Sequence, residues 1–214
     1  MKPSLLFITG WAHSKATLQP LADAFAFDFQ TTLCTGAEVL ETKKIPDAEI
    51  IVAHSMGGIL ALEHLPTSCK KLILISSTAR FCATTDYPCG VAQPLLRRMI
   101  KQLKRNPEAV LESFFQNVHH PEVGPSFDPT FDLDSLVLGL EYLQNTDLRD
   151  SIQQIKIPVL LLHGTSDLII PADASTWLHN HLPQSELQLF PSAGHALYKD
   201  AQTVGFIQDY LLPG

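Results

Sequence analysis

The segment Ile50-Ile51-Val52-Ala53-His54-Ser55-Met56-Gly57-Gly58-Ile59-Leu60-Ala61 constrains this chain more than any other stretch. An apolar run of strand type leads into one serine among small residues, and an apolar helical pattern follows with no loop between them. A strand can turn into a helix that sharply only if the turning residue accepts a strained backbone. The positions two before and two after it must also be small, and Ala53 and Gly57 stand there. Such a strand–turn–helix lifts the Ser55 hydroxyl above the sheet, the geometry of a nucleophile elbow. Ala53 stands where that motif usually has glycine, and one extra methyl keeps the steric logic. Taken alone, the same residues also fit a serine that merely caps a helix. His54 points away from the serine in such a turn and reads as structural.

The rest of the chain supplies a sheet for that turn. Near-continuous Val/Ile/Leu blocks recur at residues 5–9, 50–53, 71–77, 158–163 and 187–190, as expected of parallel strands buried on both faces. Helical patterns at 18–25, 58–65, 172–181 and 201–211 alternate with them, which predicts an α/β fold with a mostly parallel sheet flanked by helices. Residues 27–47 carry a thin apolar pattern and predict at most one short strand and loops. Residues 78–156 show only helical periodicities, at 91–103, 107–117 and 133–145. A loop of that length is rare inside a compact domain. The expectation is a helical cap, 78–156, inserted into a core made of 1–77 and 157–214.

Two later loops give the serine its partners. After the strand at 158–163 comes Gly164-Thr165-Ser166-Asp167, and after the strand at 187–190 comes Pro191-Ser192-Ala193-Gly194-His195. Both lie at the C-terminal edge of the sheet, the edge that carries Ser55. Serine, acid and histidine in that order, each after its own strand, are what a nucleophilic triad requires. An oxyanion hole needs two N–H groups beside the nucleophile. Met56 follows the serine, and Trp11, in the loop Thr9-Gly10-Trp11-Ala12-His13 after the first strand, is the second candidate donor. Its indole is expected to wall the substrate pocket.

Composition excludes other classes. The chain has 214 residues, 45% of them hydrophobic and 17% charged, enough apolar material for a core. A net charge of −7 argues against general nucleic-acid binding. No run approaches the roughly 18 apolar residues of a membrane span, and the apolar stretch near the N-terminus is too short for a signal peptide. Cys34, Cys69, Cys82 and Cys89 have neither zinc-ligand spacing nor the density of a disulfide scaffold. His119-His120 and His179/His181 lack the spacing and acidic companions of a metal site. The expectation is a soluble cytoplasmic protein with reduced thiols, no cofactor and no metal.

These motifs resemble the α/β-hydrolases. Within them, the chain is similar to the pimeloyl-[acyl-carrier protein] methyl ester esterases of biotin synthesis. The broad resemblance rests on Gly10-Trp11, Ala53-His54-Ser55-Met56-Gly57-Gly58, His163-Gly164-Thr165-Ser166-Asp167 and Gly194-His195. The narrower one rests on Ser76-Ser77 leading to Phe81 and Tyr87-Pro88, and on Gly139-Leu140-Glu141-Tyr142-Leu143 with Asp147-Leu148-Arg149 after it. The chain departs from that family in being shorter between 27 and 50, where the loss of a helix would thin one face of the sheet. The family's carrier-binding cap arginines are also not matched position for position after Pro107.

The resemblance implies a cofactor-free serine esterase in which Ser55 attacks, His195 moves the proton and Asp167 orients the imidazole. The implied substrate is a pimeloyl methyl ester on an acyl carrier protein. Phe114-Phe115-Gln116-Asn117-Val118 resembles the stretch lining the acyl channel, though a helix packed on the sheet explains one phenylalanine as well. Arg97, Arg98, Lys101, Lys104 and Arg105 form a basic helix face that either steers an acidic carrier protein or simply solvates the helix. Other readings of the fold are a broad small-ester hydrolase, a lyase acting on a thioester or β-diketone, and a triad-bearing receptor with little turnover.

Overall fold

The computed structural model describes residues 2–124 and 132–212. Its strands are β1 (Ser4–Ile8), β2 (Gln30–Cys34), β3 (Ile50–His54), β4 (Lys71–Ile75), β5 (Val159–Gly164) and β6 (Ser185–Phe190). They form one sheet in the order β2-β1-β3-β4-β5-β6, every neighbouring pair parallel. All of β3 and β5 is buried, which is why those segments read as unbroken apolar runs.

Alternate side chains feed two cores. Leu5, Phe7, Val52, Ile73 and Leu160 face α1 (Gln19–Phe25) and α8 (Ala201–Leu211). Leu6, Ile8, Ala53, Leu74 and Leu161 face the opposite layer, which holds α2 (Gly36–Thr42), α3 (Met56–Glu63) and α7 (Ala172–His181). From β1 the chain runs outward to β2, then returns across β1 to β3. Connections therefore leave β1 and β3 in opposite directions, and that reversal opens a crevice at their carboxyl ends.

Between β4 and β5 lie α4 (Gln93–Leu103), α5 (Pro107–His119) and α6 (Leu133–Asn145). α4 packs on α5 and α6, and α6 rests on α2. The chain leaves and re-enters the core at one place. There Leu148 N–H donates to the Ala79 carbonyl at 3.0 Å and Arg80 pairs with Asp147. Arg149 extends the clasp to Asp147 at 2.9 Å and Asp86 at 2.7 Å.

Residues 27–47 depart from expectation. They hold β2 and also α2, so the helix expected to be missing from that face is present, though only one short helix long. Its apolar signal is thin because only Val39 and Leu40 of its large side chains are buried. A capping box holds it instead: Thr35 Oγ1 accepts from Glu38 N–H at 3.1 Å, and Glu38 accepts from Thr35 N–H at 2.7 Å.

Candidate active site

Ser55 lies between β3 and α3 with φ 54° and ψ −123°, a backbone conformation that an L-residue rarely adopts. It makes no side-chain cap hydrogen bond, which removes the capping explanation. Its N–H donates to Ile75 O at 3.0 Å. Its carbonyl accepts from Gly58 N–H at 2.9 Å and from Ser77 Oγ at 2.8 Å. The small residues act as the sequence requires. A Cβ on Gly57 would meet Thr9 O at 2.5 Å, and one on Gly10 would meet Ser55 Cβ at 2.9 Å. Glycine at these two positions brings α3 against β1 and the 9–13 loop against the serine.

That loop is held tightly. Ala12 has φ 56°, Thr9 Oγ1 donates to His13 O at 3.0 Å, and His13 Nδ1–H donates to Trp11 O at 2.7 Å. Trp11 is buried, with its indole N–H on Leu136 O at 2.8 Å. Gly139 lets α6 close over it, since a Cβ there would meet Trp11 Cδ1 at 2.6 Å. Met56 opens α3, so its N–H is among those that have no partner within the helix.

Asp167 follows β5, and its side chain is wholly buried. Its Oδ1 accepts from Ile169 N–H at 2.7 Å and Ile170 N–H at 2.9 Å. Its Oδ2 meets His195 Nδ1 at 2.7 Å and His163 Nε2 at 3.2 Å. Burial pushes this carboxyl up, but the His195 and His163 rings facing it outweigh burial and hold it well below the usual carboxylate range. His195, after β6, packs on His54 with ring centroids 4.8 Å apart, and His54 Nε2–H donates to His195 O at 3.2 Å. His195 Nε2 is buried without a hydrogen-bond partner among the described residues. With Nδ1–H directed at the carboxylate, that nitrogen presents a lone pair.

The family described as "Serine aminopeptidase, S33" matches residues 23–202. The chain belongs to the α/β-hydrolases. It is 32% identical to a pimeloyl-[acyl-carrier protein] methyl ester esterase of Nitrosomonas europaea, over 91% of this chain and 89% of that protein. An enzyme of the same name from Pseudoalteromonas atlantica is 23% identical over 98% of this chain and 92% of its own length. In fold, the hydrolase resembles an esterase from Exiguobacterium antarcticum. The TM-score is 0.83 at 17% identity, covering 98% of this chain and 92% of that one.

A cavity of about 690 Å³ opens at the serine of this hydrolase, walled by Trp11, Ser55, Met99, Phe114, Leu140 and Leu143. Arg105 is the one charged side chain in its lining among the described residues. Of the five consecutive residues expected in an acyl channel, Phe114 and Asn117 line it and the others do not. Phe115 packs on His13 at 5.2 Å, Gln116 is exposed, and Val118 is buried with its carbonyl on Ala196 N–H at 3.1 Å. Consecutive helical residues fan out by about 100° each, so only those three apart share the face that meets the cavity. Met56 and His195 are buried and lie outside the lining.

Arg97, Arg98 and Lys101 stay on the outer face of α4, because Leu96, Ile100 and Leu103 take the inner one, whereas Lys104 and Arg105 lie beyond the helix end and Arg105 lines the cavity instead of extending that face. Arg97 bonds Gln93 at 2.8 Å and Lys104 lies 3.8 Å from Glu141, while Arg98 and Lys101 are exposed. Among the described residues no group of three or more His, Cys, Asp or Glu could hold a metal ion. No helix there is long and apolar enough to cross a membrane. His163 and Ser77 stand in the motifs that carry the resemblance, but with no role assigned to them, and Ser175 stands in none. Nothing in their local pattern distinguishes them from strand-end and helix residues.

Proposed function

We propose that this hydrolase is a serine carboxylesterase with Ser55, His195 and Asp167 as its triad. The observation that carries the reading is the bare, buried Nε2 of His195, whose Nδ1 is fixed on Asp167 and whose ring packs beside the strained Ser55 turn. Ser55 Oγ attacks the ester carbonyl carbon and its proton passes to His195 Nε2. Asp167 stabilises the imidazolium, and the N–H groups of Trp11 and Met56 receive the negative oxygen. As the carbon–oxygen bond to the alcohol breaks, His195 returns the proton to the leaving oxygen. Water, deprotonated by the same nitrogen, then attacks the acyl-enzyme and releases the acid and Ser55.

The finer reading is hydrolysis of the methyl ester of a pimeloyl chain on an acyl carrier protein, as a step in biotin synthesis in the cytoplasm. It is supported by the name and identity of the Nitrosomonas europaea relative, by the largely apolar cavity and by the basic outer face of α4. p-Nitrophenyl esters test the esterase reading. Steady multiple turnover is expected, with kcat falling by about 10⁴–10⁶ in Ser55→Ala and little further in Ser55→Ala/His195→Ala. One slow turnover would favour a receptor, and an active Ser55→Ala would refute the triad. Growth of a biotin auxotroph that lacks its own esterase, restored by this chain, tests the substrate.

A further inference from the structure

We infer that His163 is a positioning residue of this site: it holds the Asp167 carboxylate in the orientation that His195 needs. The inference rests on the esterase reading above. His163 is fully buried at the end of β5, and both of its ring nitrogens are engaged. Nε2 faces two oxygens that can only accept, Ile170 O at 2.9 Å and Asp167 Oδ2 at 3.2 Å, so that nitrogen carries a proton. The carboxylate then accepts two backbone N–H groups on Oδ1 and the His195 imidazole on Oδ2, and His163 Nε2 stands 3.2 Å from that same Oδ2. A carboxylate offers about four lone-pair sites, so three hydrogen bonds and one adjacent imidazole N–H leave the group no turn that keeps all of these buried contacts.

The other nitrogen ties this arrangement to the nucleophile. Nδ1 meets Ser175 Oγ at 2.5 Å, Ser175 Oγ reaches Ser77 O at 3.1 Å, and Ser77 Oγ–H donates to Ser55 O at 2.8 Å. Ser175 and Ser77 are themselves buried. Ser175 has one hydroxyl proton to share between His163 Nδ1 and Ser77 O, so these groups form a path of polar contacts from acid to nucleophile that does not pass through His195. Loss of the His163 ring removes one of the contacts that hold Oδ2 and leaves Ile170 O and Ser175 Oγ without that partner. A misplacement of about 1 Å can lower a rate about 100-fold.

The test compares three variants with the wild type and with Ser55→Ala, using a p-nitrophenyl ester. His163→Leu removes both contacts. His163→Gln places an amide N–H near the position of Nε2, and His163→Asn places one near Nδ1. His163→Leu should lower kcat about 10–100-fold with KM little changed. With one donor fewer, the carboxylate attracts the imidazolium more strongly, so the acid limb of the kcat/KM profile should move to higher pH. His163→Gln should recover most of the rate and the wild-type limb, whereas His163→Asn should not. If the leucine variant does not fold, the glutamine–asparagine contrast decides alone. Equal rates in those two, or a wild-type kcat and pH profile in His163→Leu, would overturn the inference. An active Ser55→Ala would instead overturn the reading on which it rests.

Discussion

Replacing His13 with asparagine should make the folded protein less sensitive to acid. His13 is 4% exposed, and burial, followed by lesser effects of neighbouring histidines and Lys199, pushes its imidazole down to about 3 from an ordinary 6.5, against the pull of Trp11 O. At pH 5 the unfolded chain protonates this residue and the native protein does not. The unfolded state then binds more protons, so stability rises with pH between about 3 and 6.5 and is lost as pH falls below 6.5. Well below 6.5 the loss is about 1.4 kcal/mol per pH unit, reaching about 2.7 kcal/mol near pH 4.5. Against a total stability of about 5–15 kcal/mol, that is a substantial fraction. His54, also buried and also held neutral, contributes in the same direction.

Asparagine keeps an N–H near Nδ1 for Trp11 O and removes the titration. Its packing defect lowers stability equally at every pH, so the pH dependence isolates the proton. Urea unfolding followed by circular dichroism at a series of pH values gives the stability of each protein. The wild type should lose about 2.5 kcal/mol more than His13→Asn between about pH 7 and about pH 4.5. Parallel curves for the two proteins would refute the reasoning.

Two further outcomes follow from the structure. Gly57→Ala drives a methyl into Thr9 O at 2.5 Å and Ile8 O at 2.8 Å, both backbone atoms, so it should destabilise the fold by about 1–3 kcal/mol in urea unfolding and reduce esterase activity. Arg97→Glu with Lys101→Glu should raise KM for a carrier-linked ester, leave its kcat near wild type and spare a p-nitrophenyl ester. Raising the salt should mimic that change in the wild type, because steering acts over a Debye length of about 8–10 Å. Equal losses on both esters would return these residues to the role of a solvated helix face.

The parts of the fold legible in sequence are those whose cause is local. The helices at 133–145, 172–181 and 201–211 appear with those bounds because each pairs an apolar stripe with a clear stop, and Asp132 and Asp200 cap two of them. Ser55, Asp167 and His195 could be nominated because each follows an apolar strand directly, and parallel strands bring their C-terminal loops to one edge. α2 was not legible, since the capping box that holds it leaves almost no apolar periodicity.

The support beneath the acid was illegible for a different reason. Ser175 reaches His163 across 12 positions of chain and Ser77 across 98, and the Ser76-Ser77 pair marks a resemblance without pointing to that contact. A buried hydroxyl reads in sequence as one more small residue on a helix or at a strand end. Only the packing of α7 against the ends of β4 and β5 turns those hydroxyls into links between the acid and the nucleophile. The proposed triad of Ser55, Asp167 and His195 is therefore placed by elements that sequence can announce. The angles between those groups depend on tertiary contacts that it cannot, and substitutions at His163, Ser175 and Ser77 are where the two contributions to catalysis separate.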